Sequence, residues 1–191
     1  MRVLIALGAN LPNEGGGTAR PPADTLGRAM EDLGALGLVL RAQSPFFATP
    51  CFPAGAGPDY VNAAAVFDVP TTVAPNQILA LLHQVEAAHG RARAGRWAGR
   101  TLDLDLLAID DMVLPDPQTH AYWQNLAPED QARLTPDQLI LPHPRMADRA
   151  FVLVPLAQVA PDWHHPTLGK TVLQLRDALP AADLAAVRRL A

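Results

Sequence analysis

The sequence predicts an α+β sandwich of the ferredoxin-like type, a mainly antiparallel sheet flanked by helices. Three observations carry this. Strand-like and helix-like apolar patterns follow one another in the order β-α-β-β-α-β. The two middle strands succeed each other without a helix between them, like a hairpin, which a doubly wound parallel sheet does not permit. The chain has 191 residues, 49% of them apolar, enough for one domain over 1–191 with a sizeable core.

Each element has its own signal. "RVLIALG" (2–8) is an apolar run bounded by turn residues and reads as the first strand; "ANLPNEGGGTARPP" after it is a glycine- and proline-rich loop. "ADTLGRAMEDLGAL" spaces Leu26, Met30 and Leu33 as a helix does. "LVLRAQSPFFA" reads as a second strand, and "TPCFPAGAGPD", with three prolines, as irregular. "YVNAAAVFDV" is the third strand and points Tyr60 and Asn62 to one face, Val61 to the other. "NQILALLHQVEAAHG" is an amphipathic helix with Ile78, Leu81, Leu82 and Val85 on one side, ended by Gly90. "RTLDLDLLAID" (100–110) is the fourth strand. "MVLP" reads as a short strand, and residues 115–137 as an inserted segment with four prolines and a helical turn near "PEDQARL". "FVLVPLAQVA" and "TVLQLRDAL" are helix candidates.

A net charge of −4 argues against a general nucleic-acid binder and makes any basic site local. The single cysteine, Cys51, forbids an internal disulfide and suits a reducing cytosol. No signal-peptide core or membrane span is visible, so the expectation is a cytoplasmic protein with no membrane partner. Lys170 is the sole lysine beside fourteen arginines, a bias that composition explains, so arginine position is more informative than arginine identity.

The fourth strand carries the chemistry. Leu102, Leu104 and Leu106 share one face, and Thr101, Asp103 and Asp105 the other. Two carboxylates about 7 Å apart along a strand repel and resist burial. The pair is equally consistent with two solvated aspartates and with a platform for Mg²⁺, which prefers oxygen ligands. The preceding "GRARAGRWAGR" shifts the balance, because Arg91, Arg93, Arg96 and Arg100 abut the carboxylates and no acid occurs from Ala87 to Leu102. Arginine forks match phosphate oxygens and Mg²⁺ bridges carboxylate to phosphate, so a metal-bound polyphosphate such as ATP fits. Neither a P-loop nor a kinase glycine loop is present. "LPHPRMADRAF" gathers His143, Arg145, Arg149 and Phe151, an arrangement that suits either a phosphate contact or a turn histidine. Tyr60 and Asn62, after an irregular loop, suit a planar heterocycle as well as a core aromatic and an edge amide.

In this order, "TP…PDYVNAA", "E…GR.R…RW..RTLDLDLL" and "LPHPRM..RAFVLVPL..VAP" closely resemble the 6-hydroxymethyl-7,8-dihydropterin pyrophosphokinases of folate biosynthesis, over nearly the whole chain from "LIALGANL" onward. The resemblance implies transfer of pyrophosphate from ATP to the pterin alcohol, releasing AMP. It implies that Asp103 and Asp105 bind two Mg²⁺ ions between the substrates, and that Arg91 and Arg93 lie in a mobile catalytic loop that Trp97 helps close. Arg100, His143 and Arg149 would contact ATP phosphates, with Arg93 and Trp97 also on the ATP side and Glu86 and Leu106 near the nucleotide. Tyr60 and Phe151 would sandwich the pterin, Asn62 would hydrogen-bond it, Asp103 would face it, and Thr49, Pro50 and Phe52 would form its rim. The chain departs from the pattern at Gln138, where the family often has arginine, and at Pro144, where some members have tyrosine. The loop from Arg93 to Trp97 is one residue shorter than in some relatives, and 115–137 exceeds the usual connection. A monomer is expected. The rival readings are a nucleotide- or RNA-binding module and a pterin aldolase; the aldolase has no use for the D-x-D pair or the arginines.

Overall fold

Strand β1 (Arg2–Ala9) is buried from its second residue onward, as a run of apolar and small residues in a sheet centre must be. In the computed structural model, which describes residues 1–13, 19–51, 57–90 and 99–191, β1 is flanked by antiparallel β4 (Tyr60–Asp68) and β5 (Asp103–Ile109). Strand β4 then pairs, at its two ends, with β2 (Val39–Gln43) and β3 (Phe47–Thr49). The two-residue β6 (Arg188–Arg189) adds to the free side of β3. The order β5-β1-β4-β2/β3, antiparallel at each pairing, is the ferredoxin-like arrangement expected from the sequence.

One expected strand is divided. "LVLRAQSPFFA" breaks at Ser44-Pro45-Phe46 into β2 and β3, because Pro45 has no N–H to give to a ladder. Ser44 bridges the break: its backbone N–H reaches Ala64 O and its hydroxyl accepts from Ala64 N.

Each face of the sheet has its own helices. Val3, Ile5 and Leu7 of β1, Ala63, Ala65 and Phe67 of β4, and Leu104, Leu106 and Ile109 of β5 pack under α1 (Pro22–Ala35) and α2 (Pro75–Ala88). Leu26, Met30 and Leu33 supply the α1 side as expected; on α2, Ile78, Leu82 and Val85 are buried while Leu81 is half-buried. Each fully buried leucine, isoleucine or phenylalanine here contributes about 1.5–3 kcal/mol. Gly90 ends α2 at φ +75°, the left-handed conformation that glycine adopts without strain. The opposite face packs Leu4, Ala6, Ala64 and Val66 against α5 (Ala150–Leu156) and α6 (Val172–Asp177). A register shift between Leu4 and Ile5 puts a bulge in β5, so that Leu107 and Ala108 both belong to this second core.

Residues 115–137 leave and return through one point. Leu114 and Leu141 form a β-bridge with both backbone hydrogen bonds, in place of the short strand expected at "MVLP". Between them lie α3 (Pro117–Gln124) and α4 (Pro128–Arg133), the latter at the expected helical turn. Helix α3 was not visible as an apolar stripe; its start is set by Asp116, whose carboxylate accepts from the N–H groups of Gln118 and Thr119. Its anchor is His120, fully buried, with Nε2 donating to Pro142 O at 2.9 Å and its ring 6.0 Å from that of buried His165. A short α7 (Ala181–Ala185) precedes β6. None of the helices described is long and apolar enough to cross a membrane.

Candidate active site

Beyond the part of the sheet face packed by α5 and α6, four strands present the expected residues. The ladder registers place Thr49 opposite Tyr60, Asn62 opposite Gly8, Gly8 opposite Asp103 and Ala6 opposite Asp105. Residues that face each other across a ladder share a face, so Thr49, Tyr60, Asn62, Asp103 and Asp105 line one side of β3-β4-β1-β5. Leu104 and Leu106 point the other way into the core, so the carboxylates stand on a strand clamped from behind.

The two carboxylates are held differently. Asp103 is ion-paired with Arg100, whose side chain is two-thirds buried. Burial alone would lower the Arg100 pKa, but the Asp103 charge and hydrogen bond outweigh it and leave the guanidinium held above its ordinary value. Asp105, also half-buried, makes no close ion pair like that of Asp103 with a described residue, though its charge also acts on Arg100. Among those residues no cluster of three or more His, Cys, Asp or Glu forms a cation cage. Two adjacent hard carboxylates fit a divalent cation that takes its remaining ligands from phosphate and water.

On one side of Asp105 opens a cavity of about 750 Å³. Its basic end carries Arg149 and Arg145, the latter ion-paired with Asp148, beside His143, and Leu104, Asp105 and Leu106 also line it. Arg149 also lies over the Phe151 ring, 5.7 Å from its centroid, which joins the basic end of the cavity to the aromatic side. Burial, aided by Arg149, pushes the His143 imidazole down to about 3, so it is neutral at physiological pH. Its Nδ1 accepts from Arg145 N at 3.1 Å, which leaves Nε2 as the N–H donor.

On the other side of the carboxylates lies the aromatic and amide group. Asn62 is buried and its Nδ2 donates to Thr49 Oγ1 at 2.7 Å, which fixes the amide plane. Half-buried Tyr60 has its pKa raised, first by burial, against the lowering effect of Arg100. Phe151, at the start of α5, is 39% exposed, unusual for a phenylalanine and suited to a ring that meets a ligand. Pro50 is exposed at the end of β3.

Glu86, expected near the nucleotide, lies directly behind the cavity lining: it is 1% exposed and its Oε1 accepts from the N–H of Leu104, a lining residue, at 2.8 Å, bracing the outer edge of β5 from α2. Phe52, Arg91, Arg93, Arg96 and Trp97 lie outside the described residues.

Two contributors escaped the sequence reading. Asn10 is buried; its Oδ1 accepts from Arg100 N at 2.7 Å and its Nδ2 donates to Pro58 O at 3.1 Å, tying the ends of both flanking loops to β1. Gly8 sits between Asn62 and Asp103, where an added Cβ would lie 3.1 Å from Asn62 Oδ1. The signal for both was the strand end "LGAN", where a small residue and an amide follow an apolar run.

The profile of the family described as "7,8-dihydro-6-hydroxymethylpterin-pyrophosphokinase (HPPK)" matches residues 4–161. Curated proteins named 2-amino-4-hydroxy-6-hydroxymethyldihydropteridine pyrophosphokinase are similar along most of their length. The one from Synechocystis is 37% identical over 161 residues, 84% of this chain and 71% of the relative. That from Pseudomonas aeruginosa is 34% identical over 180 residues, 94% and 92% of the two chains, and that from Methylorubrum extorquens 32% identical over 190 residues, 99% and 98%. Among solved structures, wild-type Plasmodium falciparum HPPK-DHPS superposes with a TM-score of 0.58 at 13% identity, over 92% of this chain and 44% of that one. An HPPK-DHPS in complex with substrates gives 0.61 at 11% identity, over 93% and 45%. These two show likeness of fold, and this chain spans less than half of either. With the profile matched over residues 4–161 and relatives more than 30% identical over most of both chains, the chain belongs to the 7,8-dihydro-6-hydroxymethylpterin-pyrophosphokinase family.

Proposed function

We infer that the protein is an ATP-dependent diphosphokinase that transfers pyrophosphate from ATP to 6-hydroxymethyl-7,8-dihydropterin, giving the pterin diphosphate and AMP in folate biosynthesis. The observation that carries this reading is the position of Asp103 and Asp105. They stand between a cavity with a basic end and a face bearing Thr49, Tyr60 and Asn62. A site that joins two substrates needs such a seam.

ATP phosphates meet Arg100, His143 and Arg149, with neutral His143 donating from Nε2. The pterin ring lies between Tyr60 and Phe151, its amide edge read by Asn62 and its rim formed by Thr49, Pro50 and Phe52. Asp103 and Asp105 would hold Mg²⁺, two ions by resemblance to the family, and the metal would supply neutralisation of phosphate charge and activation of phosphorus towards attack. The pterin hydroxymethyl oxygen forms a bond to the β-phosphorus. The bond from that phosphorus to the α,β-bridging oxygen breaks, AMP leaves with the electron pair, and the hydroxyl proton passes to solvent. The protein's share is orientation and charge placement, as in other phosphoryl transfers. Arg91, Arg93 and Trp97 complete the ATP side from the arginine loop. The protein acts as a monomer in the cytoplasm.

The test is AMP quantified after incubation of the purified protein with the reduced pterin, ATP and Mg²⁺. Pterin-dependent AMP release is expected, and EDTA abolishes it. Asp105→Ala is expected to lower kcat by about 10³-fold, roughly 4 kcal/mol of barrier. Near-normal turnover in that variant would falsify the metal assignment, and no AMP from the unaltered protein would remove the reaction itself.

A further inference from the structure

The cavity beside Asp105 has more wall than a phosphate chain needs. Beyond Leu106 it runs between Asn76, Leu79, Ala80 and His83 of α2 and a second wall from residues 115–137. That second wall includes Trp123 of α3, Leu126 between α3 and α4, and Leu134 after α4. One end of the volume is therefore basic, with Arg145 and Arg149, and the other carries Leu79, Ala80, Trp123, Leu126 and Leu134 interspersed with polar Asn76, His83, Gln131 and Asp137. Trp123 is half-buried and meets Tyr122 edge-on at 5.5 Å, while Leu134 is 38% exposed. Such apolar groups at a cavity wall suit an occupant that covers them.

A nucleoside triphosphate has the matching polarity: a polyanionic tail and a flat, weakly polar base. We propose that residues 115–137 form the base-binding wall of the ATP site, with Trp123, Leu126 and Leu134 enclosing the nucleoside against Leu79 and Ala80. The inference rests on the diphosphokinase reading and adds a specificity-determining segment to it. The wall is fixed in place. The Leu114–Leu141 bridge closes its base, the Asp116 cap starts α3, and His120 pins α3 to Pro142 O at 2.9 Å. Aromatic and aliphatic contact with a base comes from burial and stacking, so its loss acts on nucleoside affinity and leaves the phosphate contacts alone.

The test uses the full chain and initial rates of AMP release with saturating reduced pterin and Mg²⁺. Inorganic tripolyphosphate, which carries no base, serves as a competitive probe of the phosphate end. Trp123→Ala is expected to raise the KM for ATP by about tenfold, the loss of one well-buried aromatic contact. The KM for the pterin and inhibition by tripolyphosphate are expected to stay within about twofold of the parent values, and Trp123→Phe to recover most of the loss. Leu134→Ala, at the exposed side of the wall, gives a smaller rise in the same direction and stands in if Trp123→Ala does not fold. An ATP KM unchanged in both variants overturns the proposal while AMP release continues. So does a parallel loss of tripolyphosphate inhibition, which marks a general disturbance of the cavity. Absence of AMP release from the parent protein instead removes the reading beneath it.

Discussion

Gly8 shows how one missing side chain shapes a site. It occupies the crossing of β4, β1 and β5, between Asn62 and Asp103, and nothing larger than hydrogen fits there without moving the Asn62 amide, 3.1 Å from a built Cβ. Gly8→Ala is expected to raise the KM for the pterin about tenfold, by tilting the amide out of its Thr49 bond, while the KM for ATP changes by less than about twofold. Steady-state kinetics with each substrate varied in turn check it, and an equal rise in both constants would place Gly8 in the fold and not in pterin recognition. The D-x-D pair was legible at this scale because strand alternation alone puts both carboxylates on one face. Gly8 and Asn10 were not, since their importance lies in neighbours 48–95 positions away: Asn62 and Asp103 for Gly8, Pro58 and Arg100 for Asn10. Arg100 was expected to abut the aspartates, and the structure shows it ion-paired with Asp103 and within reach of the Asp105 charge.

The helices and loops differ in how much of their role the chain announced. α1 and α2 were readable from their stripes, and the end of α2 from Gly90. α3 was hidden because it buries one histidine and presents no apolar stripe, so its evidence is the pairing of His120 with Pro142 and His165. That packing has a pH signature. Burial lowers the His120 pKa and pushes that of His165 down from 6.5 to about 4, with His120 adding to the effect on His165. Above about pH 6.5 folded and unfolded chains both hold these rings neutral and no penalty applies. As pH falls from about 6.5 towards 4 the unfolded chain takes up protons that the folded one refuses, so stability declines through that window and levels off below it. Thermal unfolding is expected to show a Tm lower at pH 5 than at pH 7 by on the order of 5 °C, with a shallower dependence in His165→Asn. An identical slope in the variant would assign the effect to other groups. The arginine loop makes the complementary prediction. Arg93→Ala is expected to lower kcat by at least about 100-fold while the dissociation constant for an unreactive ATP analogue moves less than about threefold, the pattern of a contact made in the transition state. Equal losses in both would make Arg93 a binding charge.

For the whole molecule, the order β-α-β-β-α-β was enough to give the sheet order, because antiparallel pairing and helix crossover leave few ways to close it. The covering of the second face by α5 and α6 did not follow from that order; it depends on Trp163, Val172 and Leu175 packing onto small residues such as Ala6 and Ala64. The polar residues of four strands come together on this same face, beyond the part that α5 and α6 pack. The β-bridge between Leu114 and Leu141 has a different kind of consequence. The span between those residues enters and leaves through one closed neck and is otherwise held by His120 against Pro142 and His165, so its remaining length can change without shifting the register of β1, β4 or β5. Each doubling of such a loop costs only about 0.6 kcal/mol in closure entropy. Lineages can therefore retune this wall while the carboxylate platform stays unchanged, and an inhibitor built to touch it would tell this enzyme from relatives whose spans differ.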